Sequence, residues 1–589
     1  MAIAVSEIRP VAHLPLVLGM LRKLEVAAVI DRLLPPHPDN VLSCGTGVEA
    51  LVLAILDGHH VLYKVGQRLE ERGMLSLLQA GLQRASLNDY RLGQILDALF
   101  EANLNKVFSA LALQALAIYA LPTLWIHQDT TTITLYGAYE GLAQPTLLKA
   151  DAEADKEAAP VAPRPAHGYN KDGHPELKQV LLSLGVSGDG GLPLRLGLRD
   201  GNTSDSTETP LAIEACLALG LQGVRGLVAD SKAYSQRTLG LCLEQKIGIV
   251  TRVPRTCAIR QELEAWGQQQ ALLPVLLEKP GHTSQEAPRC WRGQSVRRRV
   301  DVEYADGRIE QAELRFVVIH SSALAQQETK AAATAHAKEA ERVAAHIKHV
   351  AAQHYACAAE AAAAIAVYEG RAPGRRGRRP RPWRSHSLCY RVEAFTQRIK
   401  RPQRGRPTKT DPPQMAQRYR VVVEVAAVER AEADNGWTVL ATTIDTEVGT
   451  DAEIFQAYHD QHSTVEPGFR WIKNPAAIAP VWLEKPERIA ALAMLTVVGL
   501  LVYALIQRQV RLYLHDHRQQ LPGNKGLTTT PTAAVVLALF TSVMLVQLQM
   551  DQATVQHIYG VHPHHLLVCD ALAISRAWYE VSGHRENST

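Results

Sequence analysis

Trp125-Ile-His-Gln-Asp129-Thr-Thr-Thr-Ile-Thr-Leu135 is the stretch that decides the fold, because its dense β-branched residues predict a strand that carries a carboxylate. Two apolar strands are predicted next, at Leu177–Val186 and Leu192–Leu198. Gly188-Asp-Gly-Gly191 joins them as a hairpin turn, since glycine and aspartate tolerate positive φ. Helix and strand patterns then alternate, at Thr207–Leu219 (helix), Gly226–Ala229 (strand), Ser235–Gln245 (helix) and Ile247–Val253 (strand).

The predicted order β-β-β-α-β-α-β defines the fold class. Three antiparallel strands followed by alternating helices and strands make an α/β fold with a mixed sheet covered by helices, which is the order of an RNase H-like core. The domains expected from the chain are a helical N-terminal domain (1–120), the first part of the core (121–254), an α+β insertion with strands, helices and a basic block (255–418), the second part of the core (419–515) and a helical C-terminal region (516–589).

Length and composition exclude several classes of protein. The 589 residues are 47% hydrophobic and 21% charged, within the range of globular proteins. The eight cysteines form no C-x-x-C pair, so neither a disulfide framework nor a zinc ribbon is indicated. No secretory signal and no nucleotide-binding P-loop are visible, and a cytosolic protein is expected.

The charge is unevenly distributed along the chain. The net charge is +4, but residues 371–409 hold fourteen Lys or Arg against one acid, Glu393. The rest of the chain therefore carries a net charge of −9. A block of this kind is typical of tails or nucleic-acid contacts.

Three carboxylates stand out as candidates for chemistry. Asp129 lies within a predicted buried strand, where an unpaired charge costs several kcal/mol; the alternative is an Asp paired with a neighbouring Thr or a basic residue. Asp230 follows the strand Gly226–Ala229, at the edge of the sheet where catalytic groups collect, and it also suits a helix N-cap. Glu466 and Arg470 are spaced for a helix-surface ion pair, beside a core-facing stripe of Val465, Phe469 and Ile472.

Together these motifs resemble the DDE transposases of bacterial insertion sequences, in particular the insertion-sequence-four-like group. That group has a signature of Tyr, two residues, Arg, three residues, Glu, six residues, Lys, and Tyr458, Glu466 and Lys473 match it. Gln461 stands where the family usually has Arg, and four residues rather than three separate it from Glu466. The resemblance extends to the sequences I-H-Q-D-T-T (126–131), V-A-D-S-K-A-Y (228–234), H-G-Y-N-K-D (167–172) and T-R-V-P (251–254).

The resemblance implies a metal-dependent reaction on DNA. Asp129, Asp230 and Glu466 are expected to hold two Mg²⁺ ions, with Mn²⁺ as a substitute, for cleavage at transposon ends and strand transfer. Tyr458, Gln461, Arg470 and Lys473 are expected to contact DNA. The expected partners are double-stranded DNA (terminal repeats and target) and a second copy in a homodimer on paired ends, in the bacterial cytoplasm in association with the nucleoid.

The basic block has two interpretations. Arg404-Gly-Arg406-Pro resembles an AT-hook, whose Arg-Gly-Arg core lies in a narrow A·T minor groove. The same arginines, with the group Arg375, Arg376, Arg378 and Arg379, also suit a solvated linker that attracts phosphates without specificity. Both interpretations predict DNA contact with a strong dependence on salt.

Two alternative functions stay open. The departures near Glu466 suggest a catalytically inactive DNA-binding relative of a transposase. A second alternative is an integral membrane protein, because two segments are apolar enough to span a membrane, Ile489–Ile506 and Ala533–Met550. Their Ala, Gly, Thr and Gln content favours buried core helices instead. No membrane partner is therefore expected.

Overall fold

The chain forms two compact units. The first comprises Met1–Gln261, Ser295–Val317 and Val439–Thr589, and the second comprises Glu262–Gln294 and Val318–Thr438. The computed structural model describes residues 3–58, 61–137, 139, 160–221, 223–281, 288–372, 383–398, 415–427, 435–474, 483–550, 553–580 and 582–585.

The N-terminal part of the first unit is built from short helices. Most residues of Val48–Ile55 are fully buried, as their apolar sequence predicts. Asn88 caps the helix that follows it, because its side chain accepts a hydrogen bond from the Arg91 N–H at 2.8 Å. The elements are β1 (Ile3–Arg9), α1 (Leu14–Lys23), α2 (Val26–Leu33), α3 (Cys44–Leu56), α4 (Leu62–Glu71), α5 (Leu75–Leu78), α6 (Asp89–Glu101) and α7 (Leu104–Tyr119).

The predicted β-β-β-α-β-α-β order is the order in the structure. Its elements are β2 (Trp125–Leu135), β3 (Lys178–Ser187), β4 (Pro193–Asp200), α8 (Asp205–Ala218), β5 (Gly226–Ala229), α9 (Gln236–Glu244) and β6 (Ile249–Arg252). Strands β2, β3 and β4 are antiparallel neighbours, whereas β5 runs parallel to β2 and β6 parallel to β5. Parallel neighbours bring their carboxyl ends to one edge of the sheet.

The middle of the chain corrects two expectations. Strand β11 (His386–Arg398) forms within the basic block, where a linker or an AT-hook is expected from the sequence and no strand. Strand β12 (Met415–Ala427) pairs with β11, although most of its sequence is assigned to the core at 419–515. The two strands are stabilised by pairing with each other over their full length. The periodicity of one strand does not reveal which other strand will pair with it. The elements are α10 (Ala258–Gln268), β7 (Val275–Lys279), β8 (Arg289–Glu303), β9 (Ile309–Ser321), α11 (Ser322–Ala351), β10 (His354–Tyr355), α12 (Ala358–Tyr368), β11 (His386–Arg398) and β12 (Met415–Ala427).

The second unit has its own small core. Strands β10, β12 and β11 form an antiparallel sheet in that order. Val421 of this sheet packs with Val350 of α11 and with Ala361 and Ile365 of α12. Helices α11 and α12 of this unit span Ser322–Ala351 and Ala358–Tyr368.

The chain then returns to the large mixed sheet of the first unit. Strand β13 (Trp437–Thr442) pairs antiparallel with β6, and within this unit the strands run in the order β4-β3-β2-β5-β6-β13-β9-β8. Two long helices follow, α13 (Asp451–Ile472) and α14 (Pro486–Asp516).

Helix α14 is a core helix of the first unit. It is long and apolar enough to cross a membrane, but 94% of its most apolar 18-residue window is buried inside the protein. Gly499 lets it approach α13 closely, since a Cβ there would lie 3.3 Å from the Trp471 ring. Packing against the helices and the sheet therefore accounts for its composition.

The region 516–589 was expected to be helical and contains strands as well. Ala533–Met550, expected to be one apolar helix, ends its helical part at Ser542 and continues as a strand, because Val546–Met550 alternates large apolar residues with glutamine. The elements are β14 (Leu521–Gly523), β15 (Gly526–Thr528), α15 (Ala533–Ala538), β16 (Met544–Met550), β17 (Ala553–Tyr559), α16 (Pro563–Leu572), α17 (Ala577–Glu580) and β18 (Ser582–Arg585), with β1, β16, β17 and β18 forming a sheet.

Candidate active site

Asp129 lies within β2, and Asp230 directly follows β5, the parallel neighbour of β2 in the interior of the large sheet. Gln128 of β2 pairs in parallel register with Ala229 of β5, and Asp129 and Asp230 are the residues that follow these two. Neighbouring strands in a sheet are about 5 Å apart. Asp129 Oδ1 accepts the Thr130 N–H at 2.7 Å. Asp230 Oδ1 accepts the Lys232 N–H at 2.9 Å and so caps a short 3₁₀ turn, as expected for a capping residue.

The surroundings disfavour ionisation of both carboxyl groups. Burial raises the pKa of Asp129 to about 6, with Asp230 and Asp205 adding to the shift and the Thr130 N–H and Lys171 opposing it. Burial also raises the pKa of Asp230, and the negative charge of Asp205 contributes in the same direction. A partly buried pair of like charges of this kind gains stability when a cation binds.

Asp205 and Lys171 complete this cluster and were not predicted as site residues. Asp205 begins α8, and its Oδ1 accepts the Thr130 hydroxyl at 2.6 Å. Lys171, from the H-G-Y-N-K-D sequence, donates to the Thr130 carbonyl oxygen at 2.8 Å. The available signals were the position of Asp205 in the first turn of a helix and the family resemblance at residues 167–172.

A buried ion network fixes α8 beside the sheet. The fully buried Glu208 accepts hydrogen bonds from Arg195 Nη2 at 2.8 Å and from Arg199 Nε at 2.6 Å, and both arginines belong to β4. Breaking a buried pair from one side leaves an uncompensated charge and costs several kcal/mol. The network therefore holds Asp205, one turn earlier on the helix, in place.

Helix α13 carries the predicted Glu motif along β2. Thr450 and Glu453 form a capping box at its first turn. Val465, Phe469 and Ile472 are buried, so the predicted core-facing stripe is confirmed. Gln461 Nε2 donates to the Gln128 carbonyl oxygen at 3.3 Å, which attaches the helix to the strand that bears Asp129.

Tyr458 lies near the two aspartates. Burial raises the pKa of its phenol, and the negative charges of Asp230 and Asp129 add to that shift while Arg252 and Arg260 oppose it. A phenol kept protonated here is a hydrogen-bond donor at the edge of the carboxylate pair.

Glu466 faces an open groove. Together with Thr131, which lies two residues beyond Asp129 on β2, it lines a groove of about 540 Å³. The remaining lining residues are Phe469, Arg470, Lys473 and Asn474. His462 Nδ1 lies 2.7 Å from Glu466 Oε1, one helical turn away.

Two of the three predicted carboxylates lie next to each other, and the third lies apart from them. Asp129 and Asp230 are brought together, whereas Glu466 points into the neighbouring groove and contacts His462. In the described part of the chain, no group of three His, Cys, Asp or Glu side chains is arranged to hold a metal ion. The oxygen-only pair fits a hard cation, and a third ligand from Glu466 requires its side chain to leave His462.

The predicted DNA contacts have different environments. Arg470 is exposed on the groove. Lys473 Nζ donates to Asp172 Oδ1 at 2.5 Å, so an acidic side chain holds this ammonium group. Six arginines of the basic block that are predicted to contact DNA lie outside the described residues, namely Arg375, Arg376, Arg378, Arg379, Arg404 and Arg406.

Two family models match the chain. The family described as "Transposase DDE domain" matches residues 153–503, and a domain of unknown function (DUF4277) matches residues 6–113. No curated protein matches the chain. A cryo-EM structure of a piggyBac transposase synaptic complex with hairpin DNA matches at 13% identity with a TM-score of 0.23, covering 51% of this chain and 60% of that one.

Proposed function

This chain belongs to the transposase DDE domain family, and from that premise we propose that it cleaves DNA at transposon ends and transfers the strands to target DNA. The proposal includes an RNase H-like catalytic core and an origin in a bacterial insertion sequence of the insertion-sequence-four-like group. The protein would act in the cytoplasm, on the nucleoid. The observation that supports it most strongly is that Asp129 and Asp230 directly follow Gln128 and Ala229, which pair in parallel register on neighbouring strands.

Asp129, Asp230 and Glu466 are the residues that would hold Mg²⁺ or Mn²⁺, in a two-ion arrangement. The ions supply an activated nucleophile and neutralise the charge that develops on the phosphate. The raised pKa of Asp129 supports this assignment, because a cation relieves the repulsion that the paired carboxylates experience. Glu466 would complete the site by exchanging His462 for the ion.

The other residues of α13 would position the DNA. Tyr458 offers a protonated hydroxyl beside the carboxylate pair, and Gln461 lies next to it on the helix. Arg470 and Lys473 provide positive charge along the groove for the phosphate backbone. Lys473 would exchange the carboxylate of Asp172 for a phosphate when DNA binds.

Double-stranded DNA is the proposed partner, both as terminal repeats and as target. Two ends have to be held at once for strand transfer, and we expect a homodimer to do so. The basic block of residues 371–409 would add electrostatic attraction, because it concentrates fourteen cationic residues in a chain that is otherwise acidic.

One observation favours a second candidate, a catalytically inactive DNA-binding relative. Glu466 contacts His462 and is not grouped with the two aspartates. If that contact persists on DNA, the protein binds ends but lacks a third ligand. A cleavage assay separates the two candidates.

The assay uses duplexes that carry the inverted repeats flanking the reading frame, with Mg²⁺ or Mn²⁺ added. Asp129→Ala, Asp230→Ala and Glu466→Ala are each expected to lower cleavage on the order of 10³-fold, since removing a metal ligand costs several kcal/mol of transition-state stabilisation. End binding, measured by gel shift, is expected to persist in all three.

Glu447→Ala is the matched control, because Glu447 is an exposed carboxylate outside the site. It is expected to cleave like the parent protein. Full cleavage by any of the three site variants contradicts the assignment of that carboxylate. Absence of cleavage by the parent protein, with end binding intact, supports the inactive relative.

A further inference from the structure

Lys171 occupies a central position in the carboxylate cluster. Its ammonium group donates to the Thr130 carbonyl oxygen at 2.8 Å and to Thr130 Oγ1 at 3.0 Å. It also lies 3.6 Å from Asp205 Oδ2, and 30% of its side-chain surface is exposed. Thr130 is the residue whose N–H binds Asp129.

The segment that carries Lys171 is anchored on both sides of it. Asn170 Nδ2 donates to Thr134 Oγ1 at 3.2 Å, and Asn170 Oδ1 accepts the Asp172 N–H at 2.8 Å. Asp172 in turn binds Lys473 of α13. The segment that places Lys171 beside β2 therefore also contacts Lys473, at the end of the helix that bears Glu466.

Lys171 and the neighbouring Asp205 have opposite effects on the pKa of Asp129 and of Asp230. Asp205, whose Oδ2 lies 3.6 Å from Lys171 Nζ, raises the pKa of Asp129 and of Asp230. Lys171 acts on Asp129 and Asp230 in the opposite direction. Lys171 acts on both Asp129 and Asp230, whereas Lys232 acts on Asp230.

We propose that Lys171 is the internal counter-ion of the carboxylate cluster formed by Asp129, Asp205 and Asp230. Held by Thr130 and Asp205, it neutralises part of the charge of the metal-free cluster. Its role toward a metal ion rests on the proposed function, whereas its role as a counter-ion does not.

The first test measures stability without metal. In the full chain at pH 8 with a chelator present, Lys171→Met is expected to lower the melting temperature by several degrees, because the carboxylates lose their cation. The same change made in an Asp129→Asn background is expected to have much less effect, since part of the repulsion is gone. Equal losses in the two backgrounds would falsify the counter-ion role, and so would failure to fold in both. Folding restored by Asp129→Asn supports it.

The second test measures Mn²⁺ binding by calorimetry, without DNA. Lys171→Met is expected to tighten binding by about three- to thirtyfold, because a unit positive charge no longer opposes the ion at a partly exposed site. A residue that only shaped the site would weaken binding when removed. Lys171→Arg keeps the charge and is expected to retain the parent affinity.

Asp205→Asn completes the design. The amide oxygen still accepts the Thr130 hydroxyl, but the negative charge is lost, so Mn²⁺ binding is expected to weaken severalfold. Unchanged or weaker binding in Lys171→Met overturns the proposal. If the parent protein shows no binding that Asp129→Asn abolishes, the proposed metal chemistry fails, and the stability test alone decides the role of Lys171.

Discussion

Asp129 combines a partly buried position with a negative neighbour on the next strand. Folding therefore has to keep a carboxyl group where its ionised form is disfavoured, and the pKa of Asp129 rises to about 6. Its folded pKa lies above the unfolded value, so its contribution to stability is fully present below about pH 4 and is lost as the pH rises through about 6. At neutral pH, where Asp129 is ionised, the rest of the fold has to offset the free energy that this ionisation costs.

Replacing this carboxylate is expected to stabilise the metal-free protein. Asp129→Asn removes the ionisation and should raise the free energy of unfolding at pH 8 by up to about 3 kcal/mol, the equivalent of a two-unit shift. At pH 4 the difference should nearly vanish, because Asp129 is then protonated in the folded protein. Chemical denaturation at the two pH values, with a chelator, measures it. A variant less stable than the parent at pH 8 contradicts the burial argument.

Individual residues differ in how far their roles could be predicted from sequence. Asp129 and Asp230 were candidates because a carboxylate inside or directly after a buried strand costs free energy unless it has a partner or a ligand. Lys171 and Asp205 lie 41 and 75 residues from Thr130 along the chain, and no local pattern connects them. The contact between Glu466 and His462 follows from i,i+4 spacing, but its competition with a metal ion does not.

At the scale of elements, α13 continues through two residues that disfavour helix. Pro467 and Gly468 directly follow Glu466, yet the helix extends from Asp451 to Ile472. Buried Val465, Phe469 and Ile472 stabilise it through packing, which outweighs intrinsic propensity. Proline leaves the Ser463 carbonyl without its helical donor, whereas Gly468 faces α14.

These two positions are expected to respond differently to alanine. Pro467 is exposed, so Pro467→Ala restores a backbone hydrogen bond and should raise the free energy of unfolding by about 1–2 kcal/mol, after the greater freedom of the unfolded chain is allowed for. Gly468→Ala should gain little or lose stability, because its Cβ would lie 3.1 Å from Leu500 Cδ2. Urea denaturation of the pair measures both. The reverse order of stabilities would show that the proline is accommodated without cost.

Elements defined by local pattern were predicted well, and those defined by distant partners were not. The strands and helices from Trp125 to Arg252 have strong local signals and agree within a few residues. Strand β11 was missed because its polar, basic sequence forms a strand only by pairing along the whole length of β12. Strand β16 was missed for the same reason, since it lies between β1 and β17 from opposite ends of the chain.

At the scale of the whole molecule, the distribution of charge matters more than the total. The +4 net charge combines a block of +13 with a remainder of −9. A net-acidic body repels DNA at long range, so attraction has to come from localised cations. The block and the cationic side of α13 are the parts of the sequence suited to that role.

Neutralising the block should therefore reduce both the affinity for DNA and its dependence on salt. Each phosphate that a cationic side chain no longer neutralises lowers the slope of log K against log salt by about 0.9. Replacing Arg375, Arg376, Arg378 and Arg379 by Gln is thus expected to lower the slope by up to about 4, and replacing Arg404 and Arg406 by up to about 2. Arg32→Gln with Arg518→Gln is a matched control, since both arginines are exposed and outside the block. Fluorescence anisotropy from low to physiological salt measures the slopes, and an unchanged slope contradicts any binding of DNA by the block.

The same variants distinguish the two interpretations of Arg404 and Arg406. If these arginines form an AT-hook, replacing them should weaken binding to A·T-rich duplexes more than to G·C-rich ones, because only the former have the narrow minor groove. The four arginines at 375–379 serve as the comparison, since their replacement should weaken binding to both duplexes alike. Equal weakening on the two duplexes after replacement of Arg404 and Arg406 indicates a linker that attracts phosphates without specificity.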